Sequence, residues 1–182
     1  MPLLNTITSP WAEAFLQVSD AKGDTDQVIE QAKDVLALWH ESPELRAAMA
    51  SPVLEVTAKK AALTSLFGEQ VSPAFLNLLK LLADRQRIGY LDAVLDRVLE
   101  LYREQKGIAL ATVTSATALS EEQQALITEK LKTVAGTDKV EINLLVDPAL
   151  IGGFVLSVGS QVIDASLAGQ VRRLGLELAK VS

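Results

Sequence analysis

The spacing of apolar residues turns from helical to strand-like at Lys106-Gly107, and that change limits the folds open to this chain. Before it, apolar side chains recur at helical intervals; after it, β-branched runs and strict alternation appear. One kind of secondary structure cannot satisfy both periods. The sequence therefore predicts an α+β chain in two domains, with residues 1–105 forming a six-helix bundle and 106–182 a small β-α-β-β-α domain. Composition agrees, since 49% of the 182 residues are hydrophobic but only 4% are aromatic. The apolar mass is Leu, Ala and Val, a mixture suited to packed helices.

In the first part, Trp11, Phe15 and Val18 make one stripe, and Gly23 ends that helix. Asp24 and Gln27 suggest a capping-box restart, followed by Val28, Ala32, Val35 and Trp39. Ser42-Pro43 opens a short third helix, Pro52 breaks it, and Thr57–Phe67 makes a fourth with Gly68 as its stop. Ser72-Pro73 starts a fifth helix whose Phe75, Leu76, Leu78, Leu79, Leu81 and Leu82 are apolar around most of the circumference. The sixth runs from about Leu91 to Glu104.

In the second part, Ile108–Ser115 reads as a strand, and Ser120-Glu121-Glu122-Gln123 as a full capping box opening a helix stopped by Gly136. Val140, Ile142, Leu144 and Val146 alternate as in a half-buried strand. Asp147-Pro148 turns the chain into a third strand, Phe154–Val158, and Gly159-Ser160 signals a hairpin into a fourth at 161–164. Leu167, Val171, Leu174 and Leu178 then share one stripe of a final helix.

Chemistry is harder to find. There is no cysteine, so no disulfide framework and no thiolate ligand or nucleophile. The single histidine, His40, lies at a helix end where a cation suits the dipole, and it lacks the converging ligands of a metal site. Asp24/Asp26 and Glu121/Glu122 lie at helix starts, where capping accounts for them. Gly152-Gly153 joins two strands and offers no helix N-terminus to a phosphate, so it reads as a turn that lets Leu150-Ile151 tuck back. No catalytic residue, cofactor or metal is expected.

The net charge of −6 argues against nucleic acid as the main partner. Residues 1–105 carry 10 basic and 15 acidic side chains, against 7 and 8 in residues 106–182. Arg85-Gln86-Arg87 and Arg172-Arg173 read as solvated or helix-end arginines. No run approaches the roughly 20 apolar residues of a membrane span. Met1-Pro2-Leu3-Leu4-Asn5 lacks the pattern of a secretory leader, so none is expected. The positive signal is surplus apolar surface on the first and fifth helices, which could frame a groove for an amphipathic helix.

The stretch Val146-Asp147-Pro148-Ala149-Leu150-Ile151-Gly152-Gly153-Phe154-Val155-Leu156-Ser157-Val158-Gly159, then Val162-Ile163-Asp164-Ala165-Ser166-Leu167, resembles the C-terminal signature of the ATP synthase delta subunit family. That family includes the mitochondrial oligomycin-sensitivity-conferring protein. Ser9-Pro10-Trp11-Ala12-Glu13-Ala14-Phe15, Phe75-Leu76-Asn77-Leu78-Leu79 and Asp84-Arg85-Gln86-Arg87-Ile88 extend the resemblance over nearly the whole chain. Ser157, Ser160 and Ala165 depart from the family pattern, where arginine, an acidic residue and glycine are usual.

The resemblance implies a non-catalytic stator subunit that ties the catalytic head of an F-type ATP synthase to its peripheral stalk. The N-terminal helix of an alpha subunit would bind at or near Trp11, Ala14, Phe15, Val18, Phe75, Leu78, Leu79 and Leu82. The C-terminal part would meet the C-terminal ends of b-type stalk subunits. Asp147, Gly152, Gly153, Gly159, Asp164 and Ser166 would be structural. The implied location is peripheral, on the cytoplasmic (or stromal or matrix-equivalent) face of an energy-transducing membrane, either a bacterial plasma membrane or a cyanobacterial thylakoid. The alternative reading, an RNA-binding antitermination-like helical module, calls for a basic face and leaves the α+β part unexplained.

Overall fold

The computed structural model describes residues 2–159 and 161–180, with side chains described for 6–159 and 161–173. It combines helices with a four-stranded sheet and divides into two compact units, Met1–Tyr102 and Arg103–Ser182. The first contains α1 (Pro2–Lys22), α2 (Thr25–Glu41), α3 (Pro43–Ala50), α4 (Val56–Phe67), α5 (Pro73–Asp84) and most of α6 (Leu91–Lys106). The second contains β1 (Ala109–Ser115), α7 (Glu121–Ala135), β2 (Val140–Val146), β3 (Phe154–Val158), β4 (Gln161–Asp164) and α8 (Leu167–Lys180).

One continuous hydrophobic core fills the first unit, with Trp39, Phe67 and Phe75 as its largest side chains. Each helix buries one stripe. On α2 it is Val28, Ala32, Val35 and Trp39, as the spacing predicts. On α1 the buried face is Thr8, Ala12, Phe15, Leu16 and Ser19. Trp11 and Val18, expected beside Phe15 on one face, sit on its shoulders, and Val18 is exposed. Ser19 tolerates burial because its hydroxyl donates to the Phe15 carbonyl, 3.1 Å away.

Helix starts divide into two kinds. Ser72 caps α5, its Oγ accepting from Phe75 N at 3.2 Å. Asp24 and Ser42 make no side-chain cap bond, correcting the capping-box expectation for α2. At φ −107° and ψ 14°, Asp24 lies outside the extended region a cap requires, and its Oδ1 is buried without a partner. Thr25 instead donates to Asp20 Oδ1 at 2.6 Å, tying the α1–α2 corner together.

The end of α5 is a Schellman turn. Arg87 N donates to Leu82 O at 2.7 Å and Gln86 N to Ala83 O at 3.0 Å, with Gln86 at φ 54°. This turn seats Ile88 in the core and leaves Arg85 and Arg87 exposed on either side.

The sheet order is β2-β1-β3-β4, with β1 parallel to β2 across the α7 crossover and the other pairs antiparallel. Ala111, Val113 and Leu156 pack under Ile127 and Leu131 of α7. The capping box of α7 forms in full: Gln123 N donates to Ser120 Oγ, and Ser120 N to Gln123 Oε1. Gly136 ends the helix at φ 66°. The alternation of β2 is only partly used. Val140 and Ile142 pack on the core, but Leu144 and Val146 are exposed because the cover of α7 stops short of them. Ser160 of the expected hairpin, and the side chains of Leu174 and Leu178, lie outside the described residues.

A non-glycine residue in the left-handed region costs about 1–2 kcal/mol. Part of that is offset by glycine's larger entropy loss on folding. Gln86→Gly should therefore stabilise the first unit by roughly 0.5 kcal/mol. Both tryptophans lie in this unit, so urea unfolding followed by their fluorescence measures the gain directly.

Candidate functional site

Helices α1 and α5 meet through Phe15 and Phe75, whose rings are 5.2 Å apart and perpendicular. Further along, Ile7 and Trp11 share one concavity with Leu81 and Arg85, so the two helices run antiparallel. Of the eight residues singled out from the sequence, five lie in the core as a buried floor under this seam, and none of the five lines the concavity itself. Phe75, Leu79 and Leu82 are fully buried, and Phe15 and Leu78 nearly so. The other three stand above the floor: Trp11 half-buried, Ala14 exposed and Val18 47% exposed.

Two residues outside that set complete the surface. Ile7 is 38% and Leu81 45% exposed, although both are large aliphatics beside a well-packed core. Ile7, Trp11, Ala14 and Val18 follow one another at helical spacing along α1, and Leu81 of α5 shares the concavity with Ile7 and Trp11. The concavity encloses about 730 Å³ and is lined by Thr6, Ile7, Trp11, Leu81, Arg85 and Arg87. Its apolar part suits an apolar helix face. Leu81 was legible in the sequence as one of the surplus leucines of α5, whereas Ile7 precedes the stripe that marks α1.

The signature residues of the second unit, Gly159 apart, gather around one corner. Asp147 Oδ1 accepts from Ala149 N at 2.9 Å, fixing the turn after β2. Asp164 Oδ1 accepts from both Ser166 N (2.9 Å) and Ser166 Oγ (2.6 Å), and Ser166 Oγ accepts from Gly169 N (3.0 Å) to cap α8. Chain packing there leaves no room for side chains. A Cβ on Gly152 would come 2.7 Å from Leu167 Cδ1, and one on Gly153, at φ 77°, would overlap the Ala165 carbonyl. Gly169, not singled out from the sequence, lies directly against the Asp164 carboxylate. Gly159 takes φ 56° in open space at the end of β3. Ile151 does not tuck back as expected. With φ 64° and ψ −39° it projects outward, 76% exposed.

Among the described residues, no three His, Asp or Glu side chains converge as a metal site would require. His40 is exposed in the last turn of α2. No described helix is long and apolar enough to cross a membrane.

Comparison with known proteins assigns this architecture. The sequence model of a family described as ATP synthase delta (OSCP) subunit matches residues 7–178. The chain belongs to that family. An ATP synthase subunit delta of Prochlorococcus marinus (strain MIT 9303) is 72% identical over 182 residues, covering all of both chains. The organellar chromatophore subunit delta of Paulinella chromatophora is 64% identical over 181 residues, again with full coverage of both. A chain in the cryo-EM structure of the Toxoplasma gondii mitochondrial ATP synthase hexamer superimposes with a TM-score of 0.73 at 26% identity, covering 93% of this chain and 96% of that one. Delta (OSCP) subunits are structural, non-catalytic subunits of the F-type ATP synthase, which accords with a site built for contact.

Two measurements test the corner. Gly153→Ala forces a side chain onto a left-handed residue beside a carbonyl and should destabilise the second unit by roughly 1–3 kcal/mol, read from amide exchange on β1 and β3. The hydrogen bonds from Ser166 hold the Asp164 carboxyl below its ordinary value of 3.8. Their stabilising effect is therefore complete above that pH and lost as pH falls through the lowered value. Asp164→Asn should flatten the acid limb of the second unit's stability profile.

Proposed function

We propose that this chain is a stator subunit of an F-type ATP synthase, linking the top of the catalytic alpha/beta head to the peripheral stalk. In this role it resists co-rotation of the head while the rotor turns during proton-driven synthesis. The helical unit, a six-helix bundle over residues 1–105, takes the N-terminal helix of an alpha subunit. The unit over 106–182 meets the C-terminal ends of b-type stalk subunits. The protein sits peripherally on the cytoplasmic (or stromal-equivalent) face of an energy-transducing membrane. Its relatives in Prochlorococcus and the Paulinella chromatophore support a cyanobacterial setting.

The observation that carries this reading is the α1–α5 seam: Ile7, Ala14, Val18 and Leu81 exposed and Trp11 half-buried, above the buried Phe15, Phe75, Leu78, Leu79 and Leu82. A stator contact must dissociate slowly under load. Desolvated aromatic and aliphatic anchors give slow dissociation without any acid, base or metal. The floor residues act by holding the two helices at the spacing that an incoming helix requires. The exposed row supplies the contact itself.

The test is calorimetric titration of the full chain with a synthetic peptide of the cognate alpha subunit's N-terminal segment. Trp11→Ala with Leu81→Ala leaves the buried floor in place, and circular dichroism checks that the variant stays folded although half-buried Trp11 packs on the core. One-to-one binding is expected, weakened by about 2 kcal/mol or more in the double variant. A folded wild type that ignores the peptide, or a variant that binds it equally well, overturns the assignment of the seam.

A further inference from the structure

The seam ends in two positive charges, Arg85 and Arg87, that no described residue pairs with. Arg85 and Arg87 line the same concavity as Ile7, Trp11 and Leu81, and both are exposed. Neither guanidinium has a hydrogen bond or ion pair among the described residues. The neighbouring carboxylate, Asp84, is held by Lys60 of α4. This is notable in a chain of net charge −6, where acidic partners outnumber basic ones. The Schellman turn at Gln86 puts one arginine on each side of the left-handed residue, so both stand at the same end of the seam. Both are exposed at the end of α5, as the sequence reading of solvated helix-end arginines has it.

We propose that Arg85 and Arg87 form the polar end of the seam and select an amphipathic helix carrying a carboxylate beyond its apolar stripe. This rests on the seam's being the alpha-subunit site, and it adds the chemistry that sets register and direction. An apolar stripe alone slides and reverses on an apolar floor. A planar guanidinium fork recognises a carboxylate in a fixed geometry, and charges at an interface rim act chiefly on encounter rate and specificity. The occupant is therefore anchored at the end where Ile7 and Leu81 lie, with its acidic side chain between the arginines and its apolar stripe running toward Val18.

The experiment uses the full chain and the alpha-segment peptide, together with a second peptide in which each Asp and Glu is replaced by Asn and Gln. Arg85→Gln/Arg87→Gln is compared with wild type at 50 and 300 mM NaCl. The wild type should lose affinity with salt and bind the amide peptide about fivefold more weakly. The double variant should bind both peptides alike with little salt dependence, while Trp11→Ala/Leu81→Ala weakens both. If the Trp11→Ala/Leu81→Ala variant weakens binding but the arginine variant matches wild type at both salt concentrations, the carboxylate anchor is overturned and the seam stands. If the wild type binds neither peptide, the seam itself fails.

Discussion

The perpendicular contact between Phe15 and Phe75 joins helices some sixty residues apart in sequence, and the candidate site depends on it. An edge-to-face pair adds about 0.5–1.5 kcal/mol beyond the area it buries. Its larger effect is geometric. With both rings fully or nearly buried, α1 and α5 are fixed at a separation that their flanking aliphatics cannot close. Ile7, Trp11 and Val18 then remain above the core on one side and Leu81 on the other. The surplus hydrophobicity of both helices becomes a recessed surface.

The second unit relies on close approach. Gly152, Gly153 and Gly169 allow the turn after β2, the strand following it and the start of α8 to meet, with the Leu167 side chain, the Ala165 backbone and the Asp164 carboxylate closing on the bare glycines. Asp164 and Ser166 satisfy the polar groups that this contact would otherwise strand. Such a corner tolerates little substitution, which gives a physical reason for a glycine-rich signature in a protein without catalysis. Its glycines serve packing.

Local signals in the sequence carried much of this. The capping box at Ser120 and Gln123, the cap at Ser72 and the stop at Gly136 involve residues within a few positions of one another, and each forms as the spacing predicts. Asp24 has the right chemistry for a cap, but its backbone dihedrals, set by the α1–α2 corner, deny it the geometry. The burial of Phe15 between the shoulders of Trp11 and Val18 was not legible either. All three share one helical stripe, and only packing against α5 decides which faces inward. Gly169 and Ile151 were missed for a different reason: their neighbours, Asp164 and the Pro148–Leu150 turn, are close in sequence, but the backbone geometry that sets them has no residue-type signal. The family pattern could be read because it preserves such geometry as a fixed order of residue types.

A helix lying in the seam would touch α1 and α5 at once, and so would act as a non-covalent crosslink across most of the first unit. Whatever binds the native pair of helices and not the unfolded chain stabilises that pair by mass action. The unit would then be hardest to unfold while its partner is in place and easiest when the complex comes apart. Resistance to proteolysis would become a measure of assembly, with free subunits cleared and docked ones spared.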